Sequence, residues 1–406
     1  MVVDRYGVLG LTDNPFPQVA TVDPTSPNIR TNGSIYNEEI VRDQIEALRQ
    51  RLERRENLIY AQNTKFTYGV GKSALIAREW RRLQEQSPES TVYMRCGRGM
   101  LASSVDGVCN TIVEAWLKNG ALWKAFCGVL KKYVSQSRNS DLDRGTVDTL
   151  VSMHQKMPTT VSARALMLWD TRGVVENLAS WLEGISSRIQ HDIAIDYLTC
   201  MLSTPRKFGE SYPKKAKRRE VTAFITVSDL LRIGDVGHLY IFLDQFEELF
   251  HGRGKRELAE LASGMRQILE SCSDHATFVV TLHPSAAMQL RSADSQSLTT
   301  IAPVDDRHVV DLPNITPTDA VRLAQTYIDR FRIPGAEKSS GSEPLDEECV
   351  KRIAVDRDGN LRDILQTLYA CVEEAVENGV SRIDSQFFED HYRHITGKVS
   401  KKDEEL

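Results

Sequence analysis

The sequence has few cysteines and no pattern of them typical of a disulfide framework or a metal site. Its seven cysteines are scattered, with no CxxC pair and no histidine at metal-ligand spacing. The chain also lacks a run of about eighteen apolar residues, and its first residues lack a cationic start followed by an apolar segment. We therefore expect a reducing, cytoplasmic environment, with neither secretion nor membrane spanning.

A strong charge of either sign is missing as well. The net charge is −5, and the 26% charged and 41% apolar residues are typical of a soluble globular protein rather than a disordered or membrane one. Overall charge therefore argues neither for nor against nucleic acid, which only a local patch can decide. At 406 residues the chain exceeds what one hydrophobic core usually serves, so we expect two units or one domain with a large insertion.

Short apolar runs alternate with helical patterns along the chain. Such alternation predicts an α/β fold with a parallel sheet, here of five strands. The second and third runs are separated by an unusually long connection, which predicts a helical insertion at about 97–237. The predicted strands are Leu58–Ala61, Val92–Met94, Leu239–Leu243, Phe278–Leu282 and Val309–Leu312.

Proline and periodicity set the other boundaries. Four prolines predict an extended N-terminal arm at 1–36, and a helix with one apolar stripe is predicted from Asn37 to about Arg54. The ATPase core would span 37–312. Thr316 followed by Pro317 is a typical helix start and opens a predicted helical lid at 313–396. Residues 397–406 are expected to form a flexible tail.

A glycine-rich segment, TYGVGKSAL at Thr67–Leu75, follows the first predicted strand and opens a helix. Backbone N–H groups at such a helix mouth face phosphate oxygens, so we expect a nucleotide at Gly69, Val70, Gly71, Lys72, Ser73 and Ala74. Lys72 would reach the β- and γ-phosphates, and Ser73 would supply a hydroxyl to Mg²⁺. Phe66 stands where the full GxxxxGK[ST] pattern has its first glycine.

A second motif, HLYIFLDQFEELF at His238–Phe250, is an apolar strand that ends in Asp244. We expect this strand to lie next to the P-loop strand, where Asp244 and Ser73 would serve the metal. A further carboxylate would orient the attacking water in phosphoryl transfer. The two motifs in this order predict a P-loop NTPase that binds ATP and Mg²⁺.

These residues resemble the AAA+ and STAND branches of the P-loop NTPases, in which an apolar strand runs into residues like DQFEELF. GLTDNPF at Gly10–Phe16 is similar to a phrase of secretion and transposition helper ATPases and implies an arm near the adenine. GNLRDIL at Gly359–Leu365 looks like the sensor segment of the origin-recognition and transposition-regulator group, which implies that Arg362 contacts the γ-phosphate.

The resemblance also implies further catalytic residues. A polar sensor at the end of the fourth strand would be Thr281 or His283. An arginine finger before the fifth strand would be Arg307, with Arg291 as the alternative, and it implies a homo-oligomer. The residue after Asp244 is Gln245, which cannot act as a general base, so Glu247 or Glu248 would take that role, with Glu247 preferred.

A basic cluster with interleaved aromatic rings lies at 206–219, and it would either follow a nucleic-acid backbone or form an ordinary solvated loop. The cluster consists of Arg206, Lys207, Lys214, Lys215, Lys217, Arg218 and Arg219, with Phe208 and Tyr212 between them.

Three functions stay open for the chain. The first is an ATPase switch or motor that acts on nucleic acid in a prokaryotic defence or mobile-element system. The second is a nucleotide-dependent scaffold that recruits an effector protein, and the third is a pseudo-ATPase kept for protein contacts.

Overall fold

The computed structural model describes residues 5–35, 39–63, 69–97, 104–136, 171–203, 219–250, 253–283, 285–286, 308–335 and 341–397. Five strands form one sheet in which all neighbouring strands are parallel, so the predicted α/β fold with a five-stranded parallel sheet is confirmed. The strands are β1 (Leu58–Gln62), β2 (Thr91–Arg95), β3 (Leu239–Asp244), β4 (Ala276–Thr281) and β5 (Val309–Asp311).

The strand order is β2-β3-β4-β1-β5. The expectation that β3 lies next to β1 is therefore wrong, because β4 pairs with both and separates them. Along the chain, β2 and β3 come between β1 and β4, although β1 and β4 are neighbours in the sheet. The order of strands in the sequence does not predict such a crossover. All five strands still end at the same edge, so residues that follow β1, β3 and β4 come close together there.

Helices cover both faces of the sheet, which makes a three-layer arrangement. One core joins one face to the helices that connect β2 to β3 and to the helix after β3. These are α3 (Val105–Lys118), α4 (Ala121–Gln136), α5 (Thr171–Ile185), α6 (His191–Ser203), α7 (Arg219–Ile233) and α8 (Lys255–Cys272), with α1 (Arg42–Glu53) and α2 (Lys72–Gln86) on the other face. The long connection is therefore helical where it is described, and it shares the core of the sheet.

The helix predicted from Asn37 begins five residues later, at Arg42. Val41 caps it with a non-helical backbone and no side-chain hydrogen bond, although its side chain is buried with the predicted stripe. The predicted apolar stripe is buried, and its first residue, Val41, lies one position before the helix.

The C-terminal segment is helical and shares the second core with α1 and α2. Thr316 caps the first of its helices, as its sequence predicts, by accepting a hydrogen bond from the backbone N–H of Asp319. The helices are α9 (Pro317–Asp329), α10 (Glu347–Asp356), α11 (Leu361–Glu377), α12 (Ser385–Asp390) and α13 (Tyr392–Thr396). We call this segment the lid.

The N-terminal arm has one short 3₁₀ turn, Gly7–Leu9, and is otherwise irregular over 5–35. It packs on the lid: the side-chain amide of Asn14 donates to Glu373 Oε1 at 2.8 Å, and the rings of Phe16 and Tyr327 are 5.7 Å apart. Farther along, the arm is tied to α2, because the Arg81 guanidinium donates to the carbonyl of Pro24 at 3.1 Å. The arm therefore connects the lid with the core.

In the part of the chain that the structure describes, none of the helices combines the length and apolar character needed to cross a membrane.

Candidate functional site

The glycine-rich segment opens α2 directly after β1. Gly69 and Gly71 have φ of 78° and 97°, a region that suits glycine. Gly71 precedes the first helical residue, Lys72, so the free N–H groups of the helix start point away from the helix body. Residues 64–68, with Phe66, lie outside the described residues. From Gly69 onward the segment has the geometry that a phosphate cradle needs.

Gly69 also meets the lid. A β-carbon at this position would lie 2.5 Å from Asn360 Oδ1 and 2.7 Å from Arg362 Cβ. The Gly69 carbonyl accepts a hydrogen bond from the backbone N–H of Arg362 at 3.0 Å. Only glycine permits this approach, which brings the first turn of α11 against the phosphate loop.

Asp244 is the last residue of β3, and both of its carboxylate oxygens accept hydrogen bonds. Its Oδ1 accepts hydrogen bonds from Ser73 Oγ and Thr281 Oγ1, both at 2.8 Å, and from the Gln245 N–H at 3.0 Å. Its Oδ2 accepts from the Tyr93 hydroxyl at 2.8 Å. The serine of the glycine-rich segment and the carboxylate of the second motif are therefore in direct contact, as a shared metal site requires.

The intervening strand β4 contributes to this contact. Thr281, its last residue, donates to Asp244 and accepts from the N–H of Gln245 at 2.7 Å. Thr281 also lines the cavity described below. His283, the other sensor candidate, is buried and its Nδ1 contacts Ser285 Oγ at 2.6 Å. Of the two, Thr281 is the residue that the structure brings to Asp244.

Gln245 has a left-handed backbone, with φ 56° and ψ 45°, which is uncommon for a residue other than glycine. Arg95, the last residue of β2, donates from Nε to Gln245 Oε1 at 2.6 Å. The side chain at the position after Asp244 is thus held by β2. The backbone reversal starts the 3₁₀ turn Phe246–Leu249, which carries both further carboxylates.

Glu247 and Glu248 both line the cavity. Glu247 Oε2 is buried, with no hydrogen-bond partner among the described residues. Burial raises the pKa of Glu247, while the nearby Lys72 charge acts in the opposite direction. A buried carboxylate oxygen without a partner is costly unless a ligand or water completes it. This observation favours Glu247 over Glu248 as a functional group.

Lys72 lies among charges of both signs. Burial lowers the pKa of its ammonium, the carboxylates of Glu247 and Asp244 raise it, and Arg362 lowers it further. Two cations thus converge from the core and the lid at a site that holds two carboxylates. An anionic ligand such as a polyphosphate would offset the repulsion between Lys72 and Arg362.

Lys72, Glu247 and Arg362 all line one cavity of about 300 Å³. Its polar end is formed by 69–74, the residues after β3 and Arg362, and Val70 and Ala74 are part of this wall. The arm and the lid supply a second part of the lining that is mainly apolar but includes Thr21 and Arg30; its apolar residues are Pro17, Ala20, Val22, Leu323, Tyr327, Leu361 and Leu365. A charged end and an apolar end suit a ligand with a phosphate chain and a flat, weakly polar ring.

The donor set at Ser73 and Asp244 fits Mg²⁺. Both supply oxygen, the element that Mg²⁺ prefers, and Mg²⁺ usually takes only one or two protein ligands beside phosphates and water. Across the described ranges, no group of three or more histidine, cysteine, aspartate or glutamate side chains is arranged to hold a metal by itself.

Several predicted residues lie outside the described residues: Arg307, Arg291 and positions 206–218 of the basic cluster. Conversely, three residues that contact the site are not predicted by the sequence motifs: Tyr93, Arg95 and Asn360. The alternation in TVYMR places Tyr93 and Arg95 on one face of β2, but no motif marks that face as part of the site.

Comparisons with known proteins gave little beyond this. No family model matches the chain, and no curated protein matches it. One solved structure, that of the ORC2 protein of Aeropyrum pernix in ADPNP and ADP complexes, is similar, with a TM-score of 0.45 and 11% identity over 94% of this chain and 72% of that one.

Proposed function

We propose that this chain is an ATP-binding and ATP-hydrolysing protein of the AAA+ type. One observation carries the proposal: a single cavity between core and lid brings together Lys72, the Ser73–Asp244 contact and the unpartnered carboxylate of Glu247. Phosphoryl transfer depends mostly on positioning and on neutralising charge, and these groups supply both.

The residues of the glycine-rich segment take the phosphates in this proposal. The N–H groups at the start of α2 donate to phosphate oxygens, and Lys72 places its positive charge on the β- and γ-phosphates. Ser73 and Asp244 would hold Mg²⁺, which supplies charge neutralisation to the phosphates when bound. Thr281 keeps the Asp244 carboxylate oriented through its hydrogen bond.

Glu247 is the proposed general base. Its raised pKa brings it closer to the working pH, where a base is most effective, and its Oε2 has no hydrogen-bond partner among the described residues. Glu248 is the alternative on the same turn. Gln245 takes no proton, and Arg95 fixes its side chain.

Arg362 is proposed to contact the γ-phosphate from the lid. Because its backbone N–H is bonded to Gly69, a change at the phosphate loop is passed directly to α11. Such a contact makes the lid sensitive to whether ATP or ADP is present, which is what a switch needs.

We further propose that the switch or motor acts in a nucleic-acid-associated prokaryotic complex of the defence or mobile-element type. The basic cluster at 206–219 supports nucleic-acid contact, and the resemblance of Arg307 to an arginine finger supports a homo-oligomer. A protein effector is the further partner expected for such a complex.

A second candidate is a nucleotide-dependent oligomeric scaffold with little or no hydrolysis, which recruits an effector. Gln245 favours it, because the position after Asp244 holds a neutral amide that Arg95 restrains. Binding of ATP is common to both candidates, and turnover separates them.

The test is ATP turnover by the wild type and Lys72→Ala, each without DNA and with single-stranded or double-stranded DNA. Turnover that is lost in Lys72→Ala and raised by DNA is the expected result. Binding of ATP without turnover in any condition would support the scaffold. Absence of binding would reject both.

A further inference from the structure

Tyr93 approaches the proposed metal site from a strand that carries no nucleotide-binding motif. Its hydroxyl donates to Asp244 Oδ2 at 2.8 Å. The other donors to this carboxylate, Ser73, Thr281 and the Gln245 N–H, all contact Oδ1. Among the residues that the structure describes, Tyr93 is thus the donor that fixes the second oxygen.

The register of the sheet explains the reach of this side chain. Tyr93 in β2 is paired with Phe242 in β3, two residues before Asp244, so the long phenol spans the distance to the strand end. Its ring contacts that of Trp80 on α2, with centroids 5.5 Å apart and planes tilted by 49°. The ring is therefore held between the sheet and the helix that begins at the phosphate loop.

The phenol hydroxyl is a neutral donor and an ionised carboxylate can only accept, so the hydrogen bond runs from Tyr93 to Asp244 Oδ2. A hydrogen bond of this kind orients a carboxylate and leaves its other oxygen directed toward Ser73.

We propose that Tyr93 is a positioning residue for Mg²⁺: its hydroxyl holds Asp244 in the orientation in which that carboxylate, with Ser73, serves the metal. The inference rests on the proposed function, since it assumes that Asp244 belongs to a Mg²⁺–ATP site. Tyr93 touches neither nucleotide nor metal in this account and acts through Asp244 alone.

The test uses Tyr93→Phe, which removes the hydroxyl and keeps the ring against Trp80. Binding of a fluorescent ATP analogue is measured in EDTA and over a Mg²⁺ titration. We expect unchanged affinity in EDTA and a Mg²⁺ concentration for half-maximal binding that rises about 10- to 100-fold, as for loss of an outer-shell partner. The matched control is Tyr240→Phe, the same change on β3 at the opposite end of the strand, which should leave the titration unchanged.

A double-mutant cycle separates positioning from a structural role. In an Asp244→Asn background, Tyr93→Phe should cause no further shift in the Mg²⁺ titration, because the residue acts through that carboxylate. An equal shift in both backgrounds would overturn the proposal. Should Tyr93→Phe fail to fold, Tyr93→Met, which also removes the hydroxyl, is titrated in the same way, and an unchanged midpoint overturns the proposal.

Failure of the proposed function gives a different result. If the wild type binds no ATP analogue at all, the proposed function and this inference both fall. If the wild type binds the analogue with a Mg²⁺ dependence that Tyr93→Phe does not alter, the inference alone is wrong.

Discussion

The two edges of the central sheet both hold buried charged groups, but they use them differently. At the carboxyl ends of the strands, Lys72, Ser73 and Glu247 line a cavity, Ser73 donates to Asp244 behind the cavity wall, and Glu247 Oε2 lacks a partner among the described residues. At the amino ends, Asp229 and Asp274 are closed into ion pairs with Arg188 and Arg232. The first arrangement borders a cavity, whereas the second pairs its carboxylates with arginines, although Asp229 Oδ2 also has no hydrogen-bond partner among the described residues.

The comparison shows that a perturbed titration does not identify a site by itself. His238 and His275, at the amino-end edge, have lowered pKa values caused first by burial, as Lys72 has at the other edge. What distinguishes the carboxyl-end edge is the cavity and the convergence of hydrogen-bond donors on Asp244. Mutations at the two edges should therefore separate activity from stability.

The largest effect is expected at Glu247. Glu247→Gln should lower ATP turnover by about 10²- to 10⁴-fold, the usual contribution of a general base, with little change in ATP affinity. Steady-state turnover and equilibrium binding measure the two quantities. Glu248→Gln is the matched control on the same turn, and a larger loss in that variant would transfer the role to Glu248.

An effect on stability rather than activity is expected at Asp229. Its side chain is fully buried, and its Oδ1 accepts from Arg232 Nε at 2.6 Å. Asp229→Asn should lower the free energy of unfolding by about 1–3 kcal/mol, since the arginines left behind are partly exposed, and should leave turnover per folded molecule unchanged. Urea denaturation measures the first quantity.

The control for Asp229 is Asp235→Asn. Asp235 pairs with Lys132 at the surface, where its side chain is 69% exposed, so the change should cost no more than about 1 kcal/mol. If Asp229→Asn abolished turnover at unchanged stability, the distinction between the two edges would be wrong.

A pH dependence of stability is also expected at the amino-end edge. Burial lowers the pKa of His238 from 6.5 to about 4. The unfolded chain therefore binds a proton below pH 6.5 that the folded chain refuses until about pH 4, so the free energy of unfolding should fall as the pH falls through this window. His238→Asn should reduce that slope, and His275 should account for part of what remains.

Unfolding measured between pH 7 and pH 4 tests this expectation. His394→Asn, at a side chain 74% exposed on the lid, is the matched control and should leave the slope as it is. A slope that His238→Asn does not change would assign the pH dependence to other groups.

Much of the fold follows from the sequence, because periodicity reports burial. The predicted strand Leu239–Leu243 is observed as β3, which extends one residue farther, to Asp244. Thr316 caps the first lid helix, as its hydroxyl and the following proline predict. The strand order does not follow in the same way. Nothing in the sequence between β1 and β3 reports that β4 pairs with both, so the neighbour of the phosphate-loop strand was misassigned.

The candidate site likewise contains residues that the sequence motifs predict and residues that only strand pairing brings there. Gly69–Ala74 and Asp244 stand in recognisable motifs, and in the structure Gly69–Ala74 line one cavity while Asp244 accepts a hydrogen bond from Ser73 in its wall. Tyr93 and Arg95 reach the site only through the pairing of β2 with β3, a contact between segments about 150 residues apart. Local patterns do not encode such contacts, and a half-buried tyrosine in a strand is usually a packing residue.

The central claim is that the cavity between core and lid is an ATP site, and equilibrium ATP binding tests it most directly. Lys72→Ala should weaken ATP binding about 10- to 100-fold, as expected for loss of a charged hydrogen bond worth about 1.5–3 kcal/mol. Lys351→Ala, at the lid surface, should bind like the wild type. Equal ATP affinity in the wild type and Lys72→Ala, or no binding by either, would contradict the account.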